Sequence, residues 1–161
     1  RTRGPNSRVL FEGGTFSAHS EYMRAGLIML KRLSSGSAVI YPKLARLGAR
    51  LRGGIERVFA EAGIPVRTTG EGNAAVPGSS LFMVHFPREK AVTYDHPEDI
   101  HDDRRSNIVL REVLLKLALL VNGVNVVHGG GAVSLAHGEK EIDATIAAYG
   151  EAARLFKKYL Y

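Results

Sequence analysis

Five residues near the start of the chain, Gly13-Gly14-Thr15-Phe16-Ser17, combine free backbone N–H groups and hydroxyls just ahead of a helical pattern. That set suits a phosphate, because a helix N-terminus and neighbouring amides attract an anion. The plainer reading of the same glycines is a turn. Asp95, His96, Asp99, His101, Asp102 and Asp103 supply ligand types for a divalent metal. They lack the helical i, i+4 histidine pair of a built site, so they read as a solvated acidic loop and no metal is expected. Ser134 and His137 hint at a hydrolase, but Gly131-Ala132-Val133-Ser134-Leu135 is not a Gly-x-Ser-x-Gly elbow, and a strand end followed by a helix start accounts for it better. Gly129-Gly130-Gly131 beside His128 permits tight backbone or the close approach of a ligand.

These groups need elements to place them. Residues 1–19 show neither period and read as extended loop. From Ser20 to about Leu33 the pattern is helical, with Tyr22, Leu27, Leu30 and Leu33 as one buried stripe and Ser17 or Ser20 as N-cap. After Ser34-Ser35-Gly36-Ser37, a longer helix runs from Val39 to Ala62, where Leu44, Leu47, Leu51, Ile55 and Val58 step by three and four, until Gly63 and Pro65 end it. Ile64–Thr68 and Leu81–Phe86 read as strands separated by turn-rich sequence. Tyr94–Arg105 reads as a mobile polar loop, Asn107–Val121 as a Leu-rich helix, and Val124–Val127 and Ala132–Leu135 as short strands. A last helix, about Glu139–Leu160, places Ile142, Ile146, Tyr149, Ala153, Phe156 and Leu160 on one stripe, with acids first and bases last as its dipole favours. The fold class expected is α+β, with helices layered on a small, mostly antiparallel sheet.

Composition narrows the function. The 161 residues carry a net charge of +6 and no cysteine, which excludes a disulfide framework and thiol chemistry and suits a reducing cytoplasm. No apolar run approaches the roughly 20 residues of a membrane span, and Arg-Thr-Arg-Gly-Pro is no signal-peptide core. The charge excess is N-terminal: residues 1–62 hold 11 Lys/Arg against 4 Asp/Glu, the remainder 11 against 12. Much of it, Lys43, Arg46, Arg50 and Arg57, recurs on one helix face opposite the apolar stripe and reads as a solvated face. No interleaved aromatics or recognisable motif support nucleic-acid binding.

Taken in order, the pieces resemble one family. Gly13 to His19 followed by Tyr22-Met23-Arg24-Ala25-Gly26-Leu27 is similar to the G-T-(F/L)-S-x-N-P…A-A-G-L segment of glutamate-1-semialdehyde aminomutases and related class III aminotransferases. Residues 47–54 and 62–66 resemble the helix and strand that follow there, and Ser134-Leu135-Ala136-His137 with Glu141-Ile142-Asp143-Ala144-Thr145 resembles the closing S-L-A-H-T-x-x-D-I-D-x-T segment. The resemblance implies pyridoxal phosphate, held as a Schiff base by a lysine and used as an electron sink. It places that lysine, and the aspartate that pairs with the pyridine nitrogen, upstream of Arg1, so the chain is expected to be a C-terminal fragment with no catalytic residue of its own. Residues 1–19 would be the tail of the large cofactor domain, 20–37 a connecting helix and 38–161 the small C-terminal domain of a fold-type I enzyme.

By the same resemblance Thr15, with Gly14 beside it, reaches the cofactor phosphate of the neighbouring subunit of a homodimer. Ala18-His19-Ser20 departs from the usual Asn-Pro, and Val127-His128-Gly129-Gly130-Gly131 replaces a longer stretch that in aminomutases carries a Ser-x-x-Glu segment near the substrate. The second departure makes a general transaminase as good an expectation as an aminomutase. The rival is a free-standing α+β binding or interaction domain. A reading frame upstream of Arg1 that encodes a lysine-bearing cofactor domain separates the two.

Overall fold

The computed structural model of the chain describes residues 14, 15, 18–72, 78–89, 91–94 and 96–160. They divide into two compact units, Arg1–Ala38 and Val39–Tyr161.

In the first unit α1 spans Ser20–Ser35. Its N-cap is His19, which makes no side-chain capping bond; Ser20 is already helical, and Ser17 lies outside the described residues. The expected buried stripe is not there. Tyr22, Leu27 and Leu30 are exposed, and no residue of α1 is buried. The pattern gives an apolar face, but this unit offers no second described element for that face to pack on.

In the second unit α2 (Ser37–Ala62) buries Leu47, Leu51 and Ile55 of the expected stripe together with Phe59, which takes the place expected of Val58, while Leu44 and Val58 are half-buried. Gly63 ends it in the left-handed conformation, φ 79°, as a C-terminal glycine does at low steric cost. Then follow β1 (Arg67–Thr69), β2 (Leu81–His85), a 3-10 turn (Pro97–His101), a π-helical segment (Leu110–Leu115) running into α3 (Lys116–Val121), β3 (Gly130–Ala132) and α4 (Glu139–Tyr159). The sheet is antiparallel in the order β1-β2-β3, with Thr68 opposite Val84 and Phe82 opposite Gly131. The α+β class and the mostly antiparallel sheet stand as expected.

The core lies between the sheet and the helices. Phe59 of α2 is fully buried and meets Phe86 edge to face at 5.5 Å, Phe156 at 6.3 Å and Tyr149 at 6.5 Å between ring centroids. Helices α2 and α4 approach closely at Gly54, where a Cβ would come within 2.3 Å of Ile146 Cδ1. Arg52, buried on α2, donates to the carbonyls of Gly70, Ser79 and Leu81, fastening both ends of the turn between β1 and β2. Glu56 accepts from the amide and the hydroxyl of Thr68, at 2.8 and 2.7 Å, which fixes β1 to the same helix.

Three expectations change. The third strand forms on the glycines, not on Val124–Val127 or Ala132–Leu135, because the chain reverses at His128-Gly129. Val127 and Gly130 exchange both backbone bonds (3.1 and 2.9 Å) around positive φ at His128 (52°) and Gly129 (74°), the pattern of a two-residue type I′ turn. Gly130 is then pressed so close to β2 that a Cβ would lie 2.3 Å from the Phe82 carbonyl oxygen. The polar loop holds a short 3-10 turn where a mobile segment was expected, and the Leu-rich helix is π-helical over its first half.

Candidate functional site

Gly14 and Thr15 are both exposed, Thr15 in a turn, and α1 begins five residues later. Between them Ala18 adopts a left-handed φ of 57° and His19 an extended one, so the chain turns sharply into the helix. An accessible hydroxyl and an accessible glycine backbone ahead of a helix N-terminus are the donor set a phosphate takes. Gly13, Phe16 and Ser17 lie outside the described residues. Every described lysine keeps at least part of its side chain exposed; Lys43 reaches the carbonyl of Leu135 at 3.3 Å and Lys158 lies 4.9 Å from the ring centre of Tyr159.

The other candidates resolve into structural roles. The amide of Ser134 donates to His137 Nδ1 at 2.9 Å and the Ser134 hydroxyl lies 3.3 Å from the same nitrogen, contacts within one turn of the chain. Glu141 accepts from the amide of Gly138 at 2.8 Å, a capping contact at the start of α4. Both side chains border a groove of about 530 Å3 that residues 122–127 and 130–133 also line. Among the described residues no three of His, Asp and Glu gather as metal ligands. Asp99 accepts from the amide of His96 at 3.0 Å, Asp102 pairs with Arg104 and Asp103 with Arg88, both at 3.0 Å. The Arg104 guanidinium and amide beside Asp102 hold its carboxyl below the usual range. Asp95 lies outside the described residues.

The basic face of α2 is half-exposed and largely paired. Arg46 and Arg50 both reach Glu139, and Arg50 also meets Asp143 at 2.6 Å, linking α2 to α4. Such exposed pairs contribute little to stability.

A second group of polar side chains was not singled out from the sequence. His85, fully buried at the end of β2, meets Thr69 Oγ1 through Nε2 at 2.9 Å and Arg111 Nη1 through Nδ1 at 3.2 Å, with Tyr94 stacked 4.6 Å away. Burial, then the charges of Arg111 and His101, lower the His85 pKa to about 4. Arg111 is itself fully buried and donates to the Ile100 carbonyl and to Glu112 Oε1, both at 2.8 Å. Glu112 Oε2 takes His128 Nδ1 at 2.8 Å. Burial opposes ionisation of Glu112, yet the hydrogen bonds from His128 and Arg111 outweigh it and its pKa is lowered. The signal in the sequence was Arg111-Glu112 interrupting an otherwise apolar helix.

Comparison with known proteins now bears on the whole arrangement. No family model matches the chain. A glutamate-1-semialdehyde 2,1-aminomutase of Thermus thermophilus is 30% identical over 146 residues, covering 89% of this chain and 31% of the relative. Another, from Halobacterium salinarum, is 30% identical and covers 89% and 35%. Among solved structures, an omega-transaminase from Sphaerobacter thermophilus matches with a TM-score of 0.62 and 28% identity over 89% of this chain. A transaminase solved with PLP bound matches at 0.66 and 24% identity over 92%. The chain carries the fold of part of a transaminase, about 30% of each solved chain. It spans about a third of the length of the curated relatives it matches, 31% and 35%. In this transaminase-like chain α2, the sheet, the π-helical segment with α3, and α4 share the packed core, and Gly14-Thr15 precedes the unpacked α1. No described helix is long and apolar enough to cross a membrane.

Proposed function

We propose that the chain is the C-terminal portion of a pyridoxal-phosphate-dependent class III aminotransferase or aminomutase, acting as a cytoplasmic homodimer whose cofactor site is shared between subunits. Residues 1–19 then belong to the large cofactor domain, 20–37 connect, and 38–161 form the small domain. The observation that carries the reading is the 30% identity to aminomutases across 89% of the chain. Pyridoxal phosphate, when bound, supplies an electron sink for moving an amino group between small amino-acid-type molecules. This chain's part is to hold: the Thr15 hydroxyl donates to a phosphate oxygen, with the exposed Gly14 backbone beside it. The exposure of the described lysines supports the placement of the anchoring lysine elsewhere, since an amine that holds a carbonyl cofactor is normally desolvated or set beside another cation.

The test is to mix the purified chain with pyridoxal phosphate, reduce with borohydride and map the labelled peptides. Scattered, substoichiometric labelling of surface lysines is expected. One lysine labelled to completion, with amino transfer by the chain alone, contradicts the assignment.

A further inference from the structure

The helical stretch 108–121 is apolar on two faces. Leu110, Leu115, Ala118 and Leu119 are buried in the core. The outer face, which an amphipathic helix keeps polar, carries Val109, Val113, Leu114, Leu117, Leu120 and Val121, all exposed, with 62% of Val109 and 79% of Val121 left uncovered by the described residues. Single exposed apolar residues are ordinary, but a continuous row of them marks a contact. In an α-helix a row of residues four apart drifts by about 40° at each step, because about 3.6 residues make a turn. The wider turns of the π-helical segment take up that drift, so Val109, Val113 and Leu117 stay close to one line. A straight apolar row suits a second helix laid along it.

The charges beside the row select that helix. Glu112 and Lys116, four residues apart, stand on one flank of it, Lys116 exposed and Glu112 partly so. Arg111 and His128 fix the Glu112 carboxylate in place without using all of its lone pairs. If a second copy of the stretch lies antiparallel, centred between Val113 and Leu117, Glu112 of each copy comes level with Lys116 of the other, and Val109 with Val121. A parallel copy instead sets Glu112 against Glu112 and Lys116 against Lys116. The face is therefore complementary to itself in one direction, as a two-fold interface requires.

We propose that this face docks a second copy of the chain, the two 108–121 stretches packing antiparallel about a two-fold axis. The contact is separate from the one made by Thr15 and does not depend on it.

The chain has no cysteine, so introduced thiols report on this face. Val109→Cys and Val121→Cys versions of the full-length protein are co-expressed, purified and oxidised, and the linked peptides are identified by mass spectrometry. A disulfide between the two versions is expected, because facing positions of packed helices come within its reach. Two Val109→Cys copies should not link to each other, since their thiols lie roughly 18 Å apart along the axis at about 1.5 Å per residue. Val113→Cys with Leu117→Cys is the second pair, expected to link in the same way. Adding Leu120→Asp to both versions should lower the yield about tenfold or more. A bond between two Val109→Cys copies shows a parallel pair and overturns the assignment. So does the absence of any bond between copies, whether the thiols label freely with a maleimide, as on an open surface, or are protected from it, as under another part of the same protein.

Discussion

Phe59→Ala should cost the Val39–Tyr161 unit about 3–5 kcal/mol of stability, the range for emptying a fully buried aromatic site. Phe59 is 0% exposed and lies where α2, the residue after β2 and α4 meet, so its ring has Phe86, Phe156 and Tyr149 as neighbours. Those edge and tilted contacts add to the area term, by about 0.5–1.5 kcal/mol for a favourable aromatic pair. Phe59→Leu, which refills most of the volume, should lose less than half as much. Urea unfolding followed by far-UV circular dichroism measures both. A Phe59→Ala midpoint indistinguishable from wild type would mean that the ring cluster is not the centre of the core.

Acidification should destabilise the fold before most carboxylates titrate. His85 is held neutral, with its pKa lowered from 6.5 to about 4 by burial and by Arg111. The unfolded chain takes up that proton near pH 6.5, so the unfolded state binds more protons between the two values. Stability is therefore complete above pH 6.5 and falls as pH drops, by about 2 kcal/mol at pH 5 and about 3 kcal/mol at pH 4, where the folded state begins to protonate too. His85→Gln should lower stability at pH 7 but flatten the profile between pH 6.5 and 5. A wild-type profile as flat as that of His85→Gln over this interval would show that His85 is not held neutral.

How much of this was legible follows from what each residue answers to. The α2 and α4 stripes were readable because Leu47, Leu51, Ile55 and Ile142, Ile146, Tyr149 recur at the helical period and face one core. The stripe of α1 has the same period and no partner among the described residues of its unit, and periodicity alone does not say what a face packs on. β3 was displaced because strand propensity favours the valines, whereas pairing with β2 required a residue without a side chain at Gly130. His128 in the left-handed conformation completes that turn in place of the more usual Asn or Asp before glycine. Arg111, Glu112 and His85 were missed because a charge in an apolar run reads as the solvent side of an amphipathic element. Tertiary packing instead turned Arg111 inward onto His85, Ile100 and Glu112. Gly14 and Thr15 were proposed only through a family segment, since a glycine before a helix is by itself most often a turn.

The central claim is that Thr15 holds the phosphate of a cofactor bound mainly by another part of the protein. Its most direct measurement is cofactor retention by the full-length dimer. Losing one hydrogen bond to a charged group costs about 1.5–3 kcal/mol, so Thr15→Ala should weaken retention about tenfold to a hundredfold. Thr15→Ser, which keeps the hydroxyl, should lose much less. Mixing Thr15→Ala protomers with protomers lacking the anchoring lysine then decides whether the contact crosses the dimer. In the mixed dimer the single lysine-bearing site is completed by the intact Thr15 of the other subunit, and near-normal affinity in one site per dimer is the expected result. Equal loss in Thr15→Ala and Thr15→Ser, or no recovery in the mixed dimer, would contradict it.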